Sequence, residues 1–194
     1  MGRRGCRGKR LSVDSMEIID ITREISDGMD VYPGDPKVKI KTVKSLAKDG
    51  HTLSEISMGL HSGTHIDAPA HFIKGGKTVD EIVALIGPAR VVEGRITPDI
   101  LTKGEVLIIK GRTGITEKEA EILAKGGIPA IGTDSMSIGS PEVHKILLSK
   151  GVMIIENLDL DKAHPGQYQI ICLPMKIKGV EAAPVRCLLV SGDK

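Results

Sequence analysis

The sequence predicts a single α/β domain with a mixed sheet and flanking helices, and three observations lead to this prediction. The chain has 194 residues, which is enough for one well-buried domain and too few for two of ordinary size. Its apolar residues are mainly Val, Ile and Leu, with no Trp, one Phe and two Tyr, a composition typical of strands packed against aliphatic helices. Residues 106–155 alternate between strand-like and helix-like patterns, which indicates βαβ connections and parallel strands.

Nine short segments rich in β-branched residues are predicted to be strands, at 17–22, 38–43, 53–58, 89–92, 106–110, 130–133, 152–155, 169–173 and 185–190. The strands of the first 60 residues are expected to pair as antiparallel hairpins. No internal repeat or low-complexity linker follows residue 15, so we expect residues 16–194 to form one domain.

Two helices are predicted between the later strands. One begins at the capping box formed by Thr116 and Glu119 and ends at a pair of glycines. The other begins at Pro141, a residue favoured in the first helical turn, and ends at Gly151. A shorter helix is predicted to begin at Thr78 in the same way as the first.

The first 15 residues differ from the rest of the chain in charge. They contain five basic residues and one acidic residue, and removing them leaves 22 basic and 24 acidic residues. The body of the chain is therefore not expected to bind polyanions such as nucleic acids. Residues 1–15 lack the apolar stretch of a signal peptide, and we interpret them as a disordered extension or as translated sequence ahead of Met16. The alternative, a nucleic-acid-binding arm, predicts a salt-sensitive interaction that deletion of residues 1–15 abolishes.

Three cysteines, Cys6, Cys172 and Cys187, show no CxxC spacing. Their odd number fits a reducing compartment better than a disulfide scaffold. Cys172 and Cys187 lie in apolar strand-like runs, which indicates burial. No apolar run approaches the length of a membrane span. The sequence therefore predicts a cytoplasmic protein without a membrane partner.

The densest group of potential metal ligands lies in the segment 61–71, HSGTHIDAPAH, which holds three of the six histidines. Imidazole nitrogens and carboxylate oxygens are ligands that zinc and manganese accept. Gly63 and Pro69 argue against a continuous helix, so we place the segment on a strand end, a tight turn and a short helical start. Gly63 is expected to let the backbone approach an ion closely, and Pro69 to stiffen the path to His71. The alternative is a solvated histidine-rich loop.

Two residues of this segment differ in their expected roles. Asp67 can ligate one ion or bridge two, because a carboxylate offers two oxygens. His71 stands four residues further on and need not be a ligand. A histidine beside a metal-activated water is well placed to move protons, since its ordinary pKa is near neutrality.

The segment resembles the HxGTHxDxPxH signature of the metal-dependent cyclase-like hydrolases, a family that includes bacterial kynurenine formamidase (arylformamidase) and isatin hydrolase. Every specified position of the signature is present. Further segments also resemble the family, at 32–36, 132–135, 155–158, 173–177 and 183–186. The resemblance covers about residues 17–190, and its separate matches make it far more specific than a lone short motif.

The resemblance implies a site for one or two divalent ions, zinc or manganese. It assigns the first ion to His61, His65 and Asp67, and the second to Asp67, His144 and Glu156, with Glu156 able to bridge. The sequence itself predicts His144 on a helix and Glu156 at the C-terminal end of a strand. Without the resemblance, His144 is better explained as an exposed helical histidine, and Glu156 equally well as an ordinary acid at a strand end.

The resemblance also implies the reaction. The chain is expected to hydrolyse an amide, a formamide or a cyclic amide through a metal-activated water, with His71 moving a proton to the leaving nitrogen. The alternative is a non-catalytic protein that keeps the metal site to bind a small acid or amide, because a fold and its site do not fix an activity. Metal content together with hydrolysis of a panel of formamides, lactams and lactones separates the two.

The partner is expected to be a small-molecule amide, and Tyr32 is assigned to its binding. Tyr32 stands where the formamidase branch of the family has Trp, and Tyr32, Phe72 and Tyr168 are the only aromatic residues of the chain. They neither exclude nor support an aryl substrate. The resemblance further implies a swivelling β/β/α fold and a homodimer or homotetramer.

Four polar residues outside the ligand set receive their own interpretation. His51 precedes a predicted strand and His164 adjoins a predicted turn, so we expect both to be solvated. Asp134 and Ser135 follow a predicted strand, where they either line the pocket or serve packing and helix capping.

Overall fold

The computed structural model describes residues 16–82 and 84–191 of the chain. These residues contain ten strands and three α-helices. The strands are β1 (Glu17–Asp20), β2 (Lys39–Lys44), β3 (Leu53–Ser57), β4 (His65–Asp67), β5 (Leu85–Glu93), β6 (Val106–Lys110), β7 (Ala130–Thr133), β8 (Met153–Glu156), β9 (Gly166–Pro174) and β10 (Ala182–Ser191). The helices are α1 (Leu46–Asp49), α2 (Glu117–Lys125) and α3 (Pro141–Ser149), and single 3-10 turns occur at Pro69–His71, Val79–Glu81 and Pro98–Ile100. The predicted extension, residues 1–15 with Cys6, lies outside the described residues.

Seven strands close into a barrel in the order β10-β4-β8-β7-β6-β5-β9, with β9 pairing back onto β10. The strands β5 to β8 run parallel to one another. The other barrel pairs are antiparallel. The chain is therefore one α/β domain with a mixed sheet, as the sequence predicts, and the sheet is closed rather than open.

The parallel part of the barrel is the predicted βαβαβ unit, in which α2 joins β6 to β7 and α3 joins β7 to β8. Helix α2 begins at the predicted capping box, where the Thr116 hydroxyl accepts from the Glu119 N–H and the Glu119 carboxylate accepts from the Thr116 N–H. Helix α3 begins with Ser140 as N-cap and Pro141 in its first turn.

The core has two parts because side chains alternate along the strands. In β6, Val106 and Ile108 belong to the core inside the barrel, while Leu107 and Ile109 pack in a second core beneath α2 and α3. β8, which is separated from β6 by β7, repeats this arrangement, with Ile155 inside and Ile154 beneath the helices. The outer face of β8 therefore points toward α3.

The first 60 residues only partly follow the predicted hairpins. β2 and β3 form a separate two-stranded antiparallel sheet whose residues are all exposed. β1 instead pairs with the distant β10, so the hairpin prediction is wrong for this strand. The reason is packing, since Ile19 and the following Ile21 are buried in the barrel core.

Two other predictions differ from the structure in extent. β5 begins at Leu85 rather than at residue 89, because Gly87 and Pro88 interrupt the run of β-forming residues in the sequence but not the strand itself. The short helix predicted after Thr78 is a single 3-10 turn, although its capping box with Glu81 is present.

The two described cysteines are buried, as predicted. Cys172 on β9 and Cys187 on β10 face each other as register partners inside the barrel. The neighbouring Cys172 and burial together raise the pKa of the Cys187 thiol well above its ordinary value, so it stays protonated. No helix in the described part of the chain combines the length and the apolarity that crossing a membrane requires.

Candidate metal centre

The site is built on two neighbouring strands, β4 and β8. They pair antiparallel with His65 opposite Glu156 and Asp67 opposite Ile154. The alternation of a strand sends Ile66 into the barrel core and turns His65 and Asp67 to the opposite face, toward α3. Both polar residues are nonetheless fully buried, His65 at 1% and Asp67 at 0% exposure. Buried polar groups on this face require partners.

A tight turn at Gly63 brings His61 back to β4. Gly63 has φ of +65°, and a Cβ placed there would lie 2.8 Å from Cγ1 of Ile25. The glycine is therefore required by the turn and by the packing of Ile25, and its close approach to an ion stays a prediction. The turn places Nδ1 of His61 3.1 Å from Oδ1 of Asp67.

The segment after β4 returns His71 to the same cluster. Pro69 opens the 3-10 turn Pro69–His71, which is the short helical start predicted for the segment. The His71 ring lies with its centroid 4.4 Å from that of His61 and 6.0 Å from that of His144. His71 is half-buried and faces the pocket beside the cluster.

The remaining two residues come from the second half of the chain, as predicted. His144 lies on α3, and Glu156 is the last residue of β8. Nδ1 of His144 lies 3.0 Å from the Ser140 carbonyl, so its Nε2 faces the cluster, 3.2 Å from Oε1 of Glu156. Oε2 of Glu156 lies 3.4 Å from Nε2 of His65.

These residues form two groups of potential ligands that share Asp67. In each group the ligand atoms lie within 4.8 Å of one another, and the groups are His61, His65 and Asp67, and Asp67, His144 and Glu156. Both oxygens of the buried Asp67 carboxylate, and Nε2 of His65, have no hydrogen-bond partner among the described residues. A buried carboxylate that receives no hydrogen bond is strongly unfavourable unless a cation neutralises it. The donor set therefore fits a divalent metal ion.

The histidines are held in orientations suited to binding through one nitrogen. Nδ1 of His65 lies 3.0 Å from the Gly63 carbonyl, and Nδ1 of His144 is held in the same way by Ser140. A carbonyl that accepts from one ring nitrogen fixes the tautomer and leaves the other nitrogen free for a metal. In both residues the free nitrogen is Nε2.

The electrostatics of the protein groups alone show a strongly anionic site. Burial opposes the charged form of His65, but the Glu156 and Asp67 carboxylates outweigh it and raise the pKa of His65 to about 9. Burial likewise opposes ionisation of Glu156, yet His144 and His65 lower the pKa of Glu156 to about 2. The carboxylates that hold protons on these histidines would attract a cation in the same place.

The pKa of His71 is shifted in the opposite direction to that of His65. Burial lowers the pKa of His71 below its ordinary value, and the charges of His61 and His144 lower it further, although Asp67 acts in the other direction. His71 is therefore neutral near pH 7 and able to accept a proton.

A pocket of about 300 Å³ opens onto the cluster. Tyr32 stands at its rim with 52% of its surface exposed. The other pocket residues are Asp35, His61, His71, Phe72, Met136, Ser137, Gly139, Pro141, His144 and Glu156. The pocket thus has an apolar wall facing a floor of potential ligands.

Several residues of this region were not identified from the sequence. Oε1 of Glu181, which directly precedes β10, lies 3.6 Å from Nε2 of His61. A lone acid beside a strand carries no signal that could have revealed it. Met136 and Ser137 line the pocket, whereas their neighbours Asp134 and Ser135 do not. Asp134 accepts from the Gly111 N–H at 2.8 Å, which supports the structural interpretation of that residue.

The two remaining histidines, His51 and His164, are exposed as predicted.

The chain is similar to several known proteins. A family model described as putative cyclase matches residues 19–110. The chain is 30% identical to the kynurenine formamidase of Salinibacter ruber, over 90% of this chain and 97% of that one. A solved structure described as a potential metal-dependent hydrolase with cyclase activity has a TM-score of 0.80 at 31% identity, covering 93% of this chain and 100% of that one. Isatin hydrolase A of Labrenzia aggregata has the same fold, with a TM-score of 0.81 at 20% identity over 92% and 94% of the two chains.

Proposed function

Because this chain belongs to the cyclase family of metal-dependent hydrolases, we propose that it hydrolyses a C–N bond of a small-molecule amide, formamide or cyclic amide. One observation carries the proposal. Asp67 is fully buried, both of its oxygens lack a hydrogen-bond partner among the described residues, and it belongs to both groups of potential ligands. A divalent cation in each group would satisfy this carboxylate.

We assign zinc or manganese to the site, with His61, His65 and Asp67 holding one ion. Asp67, His144 and Glu156 would hold a second, and Asp67 is the residue that the two groups share. When bound, such an ion supplies an acidified water as nucleophile and polarises the carbonyl oxygen of the substrate.

His71 is the proposed proton carrier. Its ring borders the His61 and His144 rings and faces the pocket, and burial keeps it neutral. In this state His71 accepts a proton from the nucleophile and passes it to the leaving nitrogen of the substrate. This proton transfer is required because a deprotonated amine is a poor leaving group.

The pocket supports a compact and uncharged substrate. Tyr32, Phe72, Met136 and Pro141 offer apolar surface to the part of the substrate that does not react. No Lys or Arg is found among the described residues that line the pocket, so a carboxylate on the substrate would have no fixed cationic side chain to pair with. The volume of about 300 Å³ suits a molecule with one aromatic ring. The proposed substrate class is therefore a small aryl or cyclic amide.

We further propose that the chain forms a homodimer or homotetramer. The separate sheet of β2 and β3, together with the helix α1 that connects its two strands, carries five large apolar side chains that are all exposed, Ile40, Val43, Leu46, Leu53 and Ile56. A lone two-stranded sheet is marginally stable in water, and it gains stability when another surface covers its apolar side chains. A second copy of the chain is the proposed cover.

Three finer assignments also belong to the proposal. Family membership supports the swivelling β/β/α type of fold. The two buried free cysteines support a cytoplasmic location. No nucleic-acid partner is proposed. The alternative of a non-catalytic binding protein is not favoured, because no ligand residue is missing and the chain is similar to a formamidase over most of its length.

The proposal is tested by measuring metal content and activity on the same preparation. Protein purified without added metal is analysed for zinc and manganese, and is then assayed with formanilide, a lactam, a lactone and an aryl formamide that carries a carboxylate. Bound metal with turnover of an uncharged amide supports the proposal. Bound metal without turnover of any panel member supports the non-catalytic alternative.

A further inference from the structure

Thr64, the residue directly before β4, connects three segments of the chain through one buried hydroxyl. Oγ1 of Thr64 donates to the Asn157 carbonyl at 2.6 Å and accepts from the Arg23 N–H at 2.8 Å. The Thr64 carbonyl accepts from the Val185 N–H at 3.0 Å. Thr64 is 1% exposed, so water is not available to replace these bonds.

Its partner Asn157 has an unusual backbone. With φ of +57°, Asn157 is the only non-glycine residue in the left-handed region among the described residues. Asn tolerates this region better than most residues, but the conformation still needs support from its surroundings. The support comes from both sides, since the Asn157 N–H donates to the Ser135 carbonyl at 2.9 Å and its carbonyl accepts from Thr64.

The hydrogen bond between Thr64 and Asn157 lies directly beside two of the potential metal ligands. His65 and Glu156 are opposite one another in the pairing of β4 with β8, and Thr64 and Asn157 are the next residues of the two strands. β4 has only three residues, so few ladder hydrogen bonds hold it. The Thr64 hydroxyl adds a hydrogen bond between β4 and β8 at the end of the pairing where His65 and Glu156 lie.

We propose that Thr64 is a positioning residue of the metal centre. Its hydroxyl, through the left-handed Asn157, fixes the separation between Nε2 of His65 in one ligand group and Oε2 of Glu156 in the other. This inference rests on the proposed metal centre and adds to it a residue that touches neither the ions nor the substrate.

Substitution of Thr64 by Val tests the role of the hydroxyl with little change in shape. The variant leaves the Asn157 carbonyl and the Arg23 N–H without their buried partner, so the two strands lose their closing contact. Loss of a group that orients ligands typically lowers metal affinity about 10- to 100-fold. Thr64→Ser keeps the hydroxyl, and we expect it to retain affinity within about threefold of the unmodified protein.

Thr22 supplies a matched control. Its hydroxyl also joins two segments, donating to the Cys187 carbonyl at 3.1 Å and accepting from the Cys187 N–H at 2.9 Å, but this contact lies between the end of β1 and β10. Thr22→Val therefore removes a similar bridge, and the hydroxyl that it removes contacts neither β4 nor β8. Its stability is expected to fall while its metal affinity stays unchanged.

Asn157 provides a second pair of variants. Asn157→Gly keeps both the left-handed backbone and its carbonyl, so metal affinity is expected to stay within about threefold. Asn157→Val places a β-branched residue where this conformation is strongly disfavoured, and it should weaken metal binding about as much as Thr64→Val does. The double variant Thr64→Val/Asn157→Val should lose less metal affinity than the sum of the losses in the two single variants, because both substitutions act on one contact.

The experiment measures zinc dissociation constants by competition with a chromophoric chelator, and denaturant unfolding of the same metal-free proteins. Weakened binding in Thr64→Val with retention in Thr64→Ser and Thr22→Val supports the inference. Equal affinities of Thr64→Val and the unmodified protein overturn it, as does an equal loss of affinity in Thr22→Val. If the unmodified protein itself binds no metal, the proposed function fails instead, and the two failures are thereby distinguished.

Discussion

His65 and Glu156 face each other across β4 and β8, with Nε2 of His65 3.4 Å from Oε2 of Glu156. One residue belongs to a compact motif in the first half of the chain, and the other ends a strand in the second half. Their pairing turns the local motif into a site with two groups of potential ligands around Asp67.

Replacement of Asp67 tests the sharing of this carboxylate. Asp67→Asn keeps the size of the side chain but removes its charge, and we expect loss of both ions because Asp67 belongs to both ligand groups. His61→Ala should remove only the first ion. Elemental analysis of the purified variants measures the metal per chain, and His51→Ala, an exposed histidine, serves as the control. Equal metal content in Asp67→Asn and the unmodified protein would contradict the shared role.

Replacement of His71 tests proton transfer separately from metal binding. His71→Ala is expected to keep its metal, because His71 belongs to neither ligand group, and to lose turnover by ~10²–10⁴-fold. Steady-state kinetics and elemental analysis on one preparation give both values. His164→Ala, on the exposed surface, should leave both unchanged. Unaltered kcat in His71→Ala would remove this residue from the mechanism.

Tyr32 is expected to contribute to substrate binding rather than to chemistry. Removing the ring in Tyr32→Ala costs about 0.5–1.5 kcal/mol of aromatic contact, which raises KM for an aryl amide by about 2- to 13-fold with kcat nearly unchanged. Tyr32→Phe keeps the ring and should behave like the unmodified protein. A large fall in kcat with constant KM would assign Tyr32 a different role.

The exposed face of the β2–β3 sheet is expected to hold the oligomer together. Ile40 and Ile56 are register partners on this sheet, exposed at 38% and 52%. Replacing both with Lys places charges in the proposed contact and should dissociate the oligomer to monomers, as measured by light scattering coupled to size exclusion. Ile86→Lys, an exposed residue on β5, is the control. An unchanged mass in the double variant would place the contact elsewhere.

The ion pair between Arg112 and Glu119 predicts how stability depends on pH. The Arg112 hydrogen bonds, at 2.7 and 3.0 Å, lower the pKa of Glu119 from 4.5 to about 2 in spite of partial burial. A carboxyl whose pKa is lower in the folded state stabilises the fold above about pH 4.5. This stabilisation is lost as the pH falls from about 4.5 toward about 2.

Glu119→Gln measures this contribution. The difference in free energy of unfolding between the unmodified protein and the variant should be constant above about pH 5 and should shrink as the solution becomes more acidic. Urea titrations at a series of pH values give this difference. Glu117→Gln, an exposed acid on the same helix without an ion pair to a described residue, should show no such trend. A difference that does not vary with pH would exclude the ion pair as its source.

The part of the site that could be predicted from the sequence is the part encoded by local residue types. The glycine, the proline and the ligand spacing of residues 61–71 indicate a strand end, a turn and a short helix, and the structure has all three. His144 and Glu156 could not be assigned from the residues alone, since nothing local separates them from ordinary surface or strand-end residues. Only the family resemblance identified them.

Other features depend on contacts between distant segments, for which the sequence carries no local signal. Closure of the barrel requires β10 to pair with β4 on one side and with β9 on the other. Glu181 reaches His61 only because the start of β10 lies beside Asp67. Thr64 belongs to the predicted motif, but its bond to Asn157 becomes visible only when β4 and β8 are side by side.

We expect amide hydrolysis by this chain to require a metal held by the ligand cluster around Asp67. The most direct test is the rate of formanilide hydrolysis by one preparation before chelation, after chelation and after return of zinc or manganese, with metal content measured at each stage. In the unmodified protein, we expect activity to disappear with the metal and to return with it, whereas Asp67→Asn should show no return of activity. Activity that persists in protein shown to contain no metal would contradict it.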